Sequence, residues 1–530
     1  MAKIVITEID ETLPASVAES TDIVYVPGFA DTNQNCYIVN SSSGAPTNSL
    51  PGSVVTVAPT AIDFNSHNAY PEFYINTLNR KVWYCSAVNE GVYTWTSADS
   101  LYKDPYPENE PILCGSVADF VKVFGNAPYK FEKETIGAST ETDEALAARM
   151  AFPSFSEDAS GGVGYSEGDY EKSYIYAREL VSLGLPVLYE NYAKRDTNGL
   201  KTYPTVNDIY TALNGMFDNI SDLGEYTVKY ITSGAYPVYE IVATSPLTSE
   251  TSSQAVRICK TAATRGDAVA LVDHTNVPSR DLTGANSVFG SVNASGSIFK
   301  TVVQYGGAKE YAPYATIMTP WASYEVPNEI PTIASTKQVM PASFGYLLSL
   351  AKSIKTNANW FAVAGVARGV IPNIVALNTT AKLTNSIADG YQGRTGIAIN
   401  AITNIKPYGL TIWGNRTLLD NTTNLSAHSF LNTRNMVNDV KKVAYTTAKS
   451  LMFEQNSEQL WLSFKAGVMP ILNQMQSGQG LTAYKILREE SDEPAKLVAK
   501  IKLYPIYAVE DFKINFEISV VVTNEAVTVQ

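Results

Sequence analysis

Asp511–Thr523 reads DFKINFEISVVVT. Phe512, Ile514, Phe516, Ile518, Val520 and Val522 recur at every second position, with Lys513, Asn515, Glu517, Ser519 and Thr523 on the other face and only Val521 breaking the alternation. Period two over a dozen residues predicts a half-buried β-strand. Ala2–Ile9 (AKIVITEI) is also β-branched and apolar, with Ile4, Val5 and Ile6 at its centre, before Asp10, Glu11 and Pro14. Chain ends fray unless something ties them down. A strand pattern at each end therefore has two destinations: the chain's own sheet, or strand addition to another molecule.

At 530 residues the chain exceeds what one core usually organises, so several domains are expected. Its 45% hydrophobic content is that of a packed globular protein, and 32 Tyr suit strands and surfaces that are part buried and part wet. A net charge of −13 argues against nucleic acid or an anionic membrane as the main partner. Cys36, Cys85, Cys114 and Cys259 form no CxxC pair and read as free thiols in a reducing compartment. MAKIVITEIDE has no apolar core of a secretory signal. The longest apolar run, 360–377, contains Arg368, Pro372 and Asn373 and reads as buried core, not as a membrane span.

Asp22–Ala30 (DIVYVPGFA) reads as a buried strand ending in a Pro-Gly turn. Residues 31–109 are rich in turns and aromatic strands and predict a small β domain. Its cluster of Trp83, Tyr84, Tyr93 and Trp95 admits a sugar platform, against the plainer expectation of a β core. From Pro111 helix and strand alternate, which predicts a mostly parallel α/β sheet. Ser116 caps a short helix carrying Phe120; Pro341 opens another carrying Phe344, Leu347 and Leu348. Isoleucine-rich strands flank Pro407-Tyr408-Gly409. A long amphipathic helix over about 433–452 follows, with Met436, Val440, Val443, Ala444, Ala448 and Leu451 inward. Asn456 with Gln459 predicts a capping box on a second helix carrying Trp461, Phe464 and Val468, which Pro470 should kink and Gly478 and Gly480 should stop.

Catalytic signals are weak. His67, His274 and His428 are far apart and in no metal-ligand spacing. Asp273-His274 follows a strand, where α/β enzymes place catalytic groups, but no GxSxG-type nucleophile accompanies it. The GGVG at 161–164 has no Lys-Ser/Thr after it, so a phosphate loop is not expected. No residue stands out as a catalytic, cofactor-binding or metal-binding group, and no cofactor is expected.

The order of several motifs resembles the tail-sheath family of contractile bacteriophage tails and related contractile injection systems. INAITNIKPYGLTIWGNRTL (399–418) is similar to that family's strand-turn-strand, with Asn400, Pro407, Gly409, Trp413, Gly414, Arg416 and Thr417 at its positions. Phe453-Glu454-Gln455-Asn456 with Trp461 resembles a Phe-Glu-Pro-Asn element, Gln455 replacing the Pro. YPIYAVEDFKINFEI resembles the closing segment, with Pro505 and Glu510 matching and Ala508-Val509 departing. RGDAVALVDH, YAPYATIMTPW, WFAVAGVARGVIP and PILCGSVADFVKVFG have counterparts in the same order, so the resemblance covers 111–530.

It implies an α+β multidomain protein: an α/β core sheet with flanking helices, an inserted β-rich domain, and extended N- and C-terminal strand arms. The expected divisions are an arm at 1–20, an entry strand and inserted outer-surface domain at 21–110, a core at 111–398, an α+β domain at 399–508 and an arm at 509–530. It implies a non-enzymatic subunit that polymerises helically, in six-fold rings, around an inner tail tube and contracts to drive the tube through a cell envelope. Implied partners are other copies of the chain, the tube protein, and baseplate and tail terminator proteins, with no nucleic acid and no membrane insertion. The implied place is a virion tail assembled in the cytoplasm of a bacterial host. Ile4, Val5, Ile6, Phe512, Ile514, Phe516 and Ile518 would form the inter-subunit arms. Asn400, Trp413, Gly414, Arg416, Thr417, Phe453, Asn456 and Trp461 would serve packing, and Ser20-Thr21 and 505–511 would be the hinges. A β domain that binds glycans and, more remotely, an α/β hydrolase using His274 are the alternatives.

Overall fold

The computed structural model describes residues 22–28, 35–42, 44–65, 70–125, 169–202, 206–236, 253–274, 288–304, 310–327, 335–377, 391, 396–420, 426–491 and 493–509. It also describes short strand pairs at 135–136 with 139–140, 156–157 with 163–164, and 521–523 with 526–528. Ile4, Val5, Ile6, Phe512, Ile514, Phe516 and Ile518 lie outside the described residues. Of the strand expected over 511–523, Val521–Thr523 is described, and it pairs antiparallel with Ala526–Thr528.

The alternation of helix and strand produces an eight-stranded sheet. Its spatial order is Gly409–Trp413, Asn400–Ile405, Ala315–Thr319, Val269–Val272, Tyr230–Ile231, Val24–Gly28, Val187–Asn191 and Pro111–Cys114. The six inner strands run parallel and the strand at each edge runs antiparallel. Val24 and Val26 face one layer, with helices Asp169–Ser182 and Ala342–Ser353. Tyr25 faces the other, with helices Val206–Asn219 and Gln254–Arg265. Burial on both faces explains why these strands are continuous apolar runs. The hairpin Asn400–Gly409–Trp413 was expected to begin the C-terminal domain; it extends the core sheet instead.

A separate four-stranded sheet is built from Cys36–Val39, Phe73–Asn76, Lys81–Asn89 and Val92–Ser97. Its aromatic cluster is core. Tyr37, Tyr74 and Trp83 are buried, and their rings meet each other and Trp95 edge-on at 5.7–6.5 Å. Trp95 Nε1 donates to the Leu50 carbonyl at 3.3 Å. Of the expected cluster, Trp83 is buried, Trp95 and Tyr84 pack partly buried against the cores on this sheet, and Tyr93 is half-buried. Arg195 fastens this sheet to the larger one. It bonds Glu108 through Nε at 3.0 Å and Nη2 at 2.6 Å, and its Nη1 reaches the Cys36 carbonyl at 3.2 Å.

The C-terminal third is a helix pair, Leu431–Ser450 and Glu458–Ser477, covered by the hairpin Leu481–Glu489/Val498–Pro505. The inward residues expected on both helices do meet in one core around Met436, Val440, Trp461, Phe464, Val468 and Leu472. The cap differs. Ser457, not Asn456, caps the second helix, accepting from Leu460 N at 3.2 Å. Asn456 instead donates to the Pro494 carbonyl at 2.8 Å and accepts from Arg488 at 3.0 Å. The helix runs through Pro470 and stops at Gly478.

The run 360–377 is not a continuous buried element. It divides into a turn, the short helix Gly365–Arg368 and the strand Ile374–Leu377, with Val366 and Val375 exposed. Among the described residues no helix is long and apolar enough to cross a membrane. Trp360 leaves this run and lies across the second helix's end, where its Nε1 donates to the Gly478 carbonyl at 2.8 Å. A Cβ at Gly478 would collide with the indole, and one at Gly480 would touch it at 3.0 Å. Both glycines are needed for that approach. Gly478→Val should therefore cost about 1–3 kcal/mol through overpacking, read as a lower urea midpoint; an unchanged midpoint would show that the indole moves freely.

Candidate functional site

In a doubly wound sheet, ligands normally enter at the carboxyl ends of the strands, where the strand order reverses. Here that strand is Val24–Gly28. The place is filled from within. A Cβ on Gly28 would collide with Tyr189 and Ser173, and Gly234 lies against the Pro27 carbonyl. Asp273 and His274 follow the next strand but one, and both are buried. Asp273 accepts from Ser233 Oγ at 3.0 Å and from Ser343 through both its backbone N–H and its hydroxyl. Ser343 opens helix Ala342–Ser353, whose own cap position, Pro341, supplies no side-chain acceptor. Asp273 thus caps that helix from another segment.

Burial pushes the Asp273 carboxyl up to about 7 and pulls the His274 imidazole down to about 3. Ser291 Oγ is 3.0 Å from His274 Nε2 and donates to the Val288 carbonyl at 3.1 Å. Asp273 is turned toward Ser233 and Ser343 and anchors helix Ala342–Ser353.

The amino end of the same sheet is covered by helix Leu431–Ser450. All ten residues from Leu431 to Val440 are buried, polar ones included. Lys229, just before its strand, has its ammonium 2.6 Å from Asp22 and 3.0 Å from Asp439 of the helix. Burial pulls the Lys229 pKa down, but the two carboxylates outweigh that and hold it above its ordinary value. Asn435 donates to Tyr230 OH at 2.8 Å. Lys441 donates to the Gly266 carbonyl and Lys442 to the Val228 carbonyl, at 2.9 and 2.8 Å. The Arg-Gly-Asp stretch sits beneath, with Arg265 bonded to both carboxylate oxygens of Asp267 at 2.9 and 3.1 Å. The residues leading into three strands thus converge on one helix.

The motif 399–418 ties this helix to the sheet edge. Asn400 is buried, accepts from Arg416 N at 2.8 Å, and donates to Thr316 Oγ1 at 2.7 Å and the Arg416 carbonyl at 2.8 Å. Gly414 is small because a Cβ there would lie 2.6 Å from Asn400 Oδ1. Thr417 bonds the His428 and Ser429 carbonyls at 2.8 and 3.0 Å. Arg416 lays its guanidinium 4.3 Å above the ring of Phe430, the residue that caps the helix. Trp413 departs from the expectation of packing, since it is 41% exposed, and Phe453 stands 90% exposed at φ 69° between the two helices. Trp461 stacks on Phe464 in the core of the helix pair. Of the expected residues, the structure therefore brings together Asn400, Gly414, Arg416 and Thr417, and leaves Trp413, Phe453 and Asn456 elsewhere.

After Pro505 the chain continues along this junction. Ile506 N donates to the Gly480 carbonyl at 3.0 Å, and Tyr507 packs on Phe430 with ring centroids 5.0 Å apart. The hairpin Leu481–Glu489/Val498–Pro505 buries one face on the helix pair through Leu481 and Leu503. Among the described residues it is a sheet of two strands, with no third strand on either edge.

Over 163 residues, 30% of its length, the chain is 27% identical to the tail sheath protein of Vibrio phage KVP40. The resemblance to tail sheath proteins is borne out. The match spans 23% of that relative, so the chain covers about a quarter of the curated relative's length. No protein-family model matches. The whole chain also aligns with the contracted PVC sheath complex of an extracellular contractile injection system, at 15% identity, TM-score 0.47 and 98% and 97% of the two chains. The contracted helical sheath of the anti-feeding prophage aligns at 13% identity and TM-score 0.45, over 97% and 98%.

Two outcomes follow from the geometry. Asn400→Ala strands the Arg416 N–H, leaves the Arg416 carbonyl to Thr316 Oγ1 alone and should cost about 3 kcal/mol, whereas Trp413→Ala should stay within about 0.5 kcal/mol; chemical denaturation measures both, and the reverse ranking would refute the assignment. The second concerns pH. A carboxyl raised to about 7 favours the fold when protonated, so its contribution is complete below the ordinary carboxylate range and is lost as pH rises toward 7. The melting temperature of Asp273→Asn relative to the natural chain should therefore rise between pH 5 and pH 8, and a constant difference would contradict the sign.

Proposed function

We propose that this chain is the structural subunit of a contractile tail sheath, polymerising helically around an inner tail tube and contracting to drive the tube through a target cell envelope. The observation that carries this reading is the identity with a phage tail sheath protein. Physical features of the chain agree with it. A two-stranded sheet is marginal alone, and the closing hairpin leaves both edges free among the described residues. Nine residues of Leu481–Glu489 span about 30 Å, enough to receive a strand of the kind patterned over 511–523. Roughly six added inter-strand bonds at ~0.5–1.5 kcal/mol each would supply ~3–9 kcal/mol per arm before packing and ordering costs.

The partners are then other copies of the chain in six-fold rings, the tube protein, and the baseplate and terminator proteins at the two ends. The inserted four-stranded sheet lies on the outer surface, and the assembly forms part of a virion tail or a related injection device. No catalytic step is assigned to the chain. Exposed apolar groups on the hairpin and the segment after it, among them Leu487, Tyr504, Ile506 and Val509, suit burial against neighbouring copies. The test is negative-stain microscopy of the full chain and of a chain ending at Asp511. The full chain should form striated hollow tubes, alone or on added tube protein, and the truncated chain should remain soluble and unpolymerised. Long tubes from the truncated chain would overturn the arm assignment.

A further inference from the structure

Asp22 and the segment 506–509, the described residues that adjoin the two expected arms, are held against the same helix. Asp22, which precedes the central strand Val24–Gly28, is held by Lys229, and Lys229 is held in turn by Asp439 near the middle of helix Leu431–Ser450. Tyr507, which follows the closing hairpin, is held on Phe430 at the start of that helix, with Arg416 on Phe430 as well. Nine residues separate Phe430 from Asp439, roughly 14 Å along the helix axis. We infer that Phe430–Asp439 is a common mount for the roots of both terminal arms, so that a displacement of one arm reaches the other through a single helix and not through the sheet.

The packing suits that role. The first half of the helix is buried all round, so it has no soft face on which to bend. One side is wedged by Met436, Val437 and Val440 against the second helix, while the other is fixed by ions and amides to the strand starts. Phe430 is also joined to Arg416 through the backbone, with Leu431 N donating to the Asn415 carbonyl at 2.9 Å and Thr417 N to the Ser429 carbonyl at 3.0 Å. Packed interiors transmit small shifts because they are dense and incompressible. The purpose of such a mount depends on the sheath reading, in which each subunit is linked through both arms while it turns; its geometry does not.

The experiment follows two amides by hydrogen exchange in the full, unassembled chain. Val24 N–H donates to the Pro186 carbonyl at 3.1 Å and reports the N-terminal root; Ile506 N–H donates to the Gly480 carbonyl at 3.0 Å and reports the C-terminal root. Asp22→Asn weakens one root and leaves Lys229 paired with Asp439. It should speed exchange at Ile506 at least fivefold while Leu271, inside the sheet, keeps its rate. Tyr507→Ser should do the same to Val24, and Tyr507→Phe, which retains the ring, should leave Val24 at its natural rate. Tyr507 is half-exposed, so its replacement leaves the fold standing and decides the matter even where Asp22→Asn lowers overall stability. Changes confined to each variant's own root would overturn the inference. Absence of tubes from the natural chain would count against the sheath reading and leave this result untouched. If tubes form, Tyr507→Ser tubes should complete contraction severalfold less often than Tyr507→Phe tubes, and equal fractions would show that the mount carries no load.

Discussion

Lys229 is the group on which the rest of the molecule turns. It is buried, and an unpaired ammonium in that position would cost several kcal/mol. Its two carboxylate partners come from segments 207 and 210 residues away in sequence, since 229 − 22 = 207 and 439 − 229 = 210. Either partner alone would match the charge of the ammonium. With both present the pair of anions exceeds the cation by one charge, and Lys442, whose ammonium lies 3.9 Å from Asp267, adds a second cation along the same helix. The entry strand, the sheet and the C-terminal helix are therefore not three independently placed parts. Moving the helix off the strand starts would uncover ions, not apolar surface, and that penalty is steep and short-ranged.

The constraint also separates the two ends of the sheet. At the carboxyl ends, where an enzyme of this architecture would open a crevice, side chains close the space and Asp273 serves as a helix cap. At the amino ends, where such folds usually carry nothing but turns, this chain places its longest polar contact. If the chain is the sheath subunit proposed above, it has reason to fasten the end from which its first strand emerges.

Much of the sheet was legible in the sequence because parallel strands buried on both faces are mostly apolar, as Val24–Gly28 and Val269–Val272 are. Asn400, Gly414, Arg416 and Thr417 were legible as a group, though only by resemblance; their bonding has no periodic signature. The mount was not legible. Asn432, Arg434, Asn435, Asn438 and Asp439 look like the wet side of an amphipathic helix, and periodicity finds only the apolar side that meets Trp461 and Phe464. A helix buried on two sides, one of them polar, defeats that method. The available signals were single charged residues set directly before apolar strands: Asp22 before Ile23, Lys229 before Tyr230 and Asp267 before Ala268. Trp413 misled for the opposite reason, since a large aromatic in a recognised motif invites a core role that its exposure denies.

Exposure of Trp413, Phe453 and Tyr507 acquires a common sense if the chain assembles as proposed. A monomer gains nothing from a Phe at positive φ standing 90% in water, and Phe pays both the strain and the exposure there. Such a residue is tolerable where a neighbouring surface covers it. The described core is, by contrast, largely internal: many of its rings meet one another, its thiols are buried, and Lys229 and Arg265 find their carboxylates within the chain. Among the described residues, exposed apolar groups stand at the helix turn, the closing hairpin and the edge of the large sheet, and also on the small four-stranded sheet at Val88 and Val92. In the proposed sheath, the helix turn, the closing hairpin and the sheet edge would be where contacts between copies are made and remade, and a rigid body with adhesive margins is the simplest object that could change lattice without unfolding.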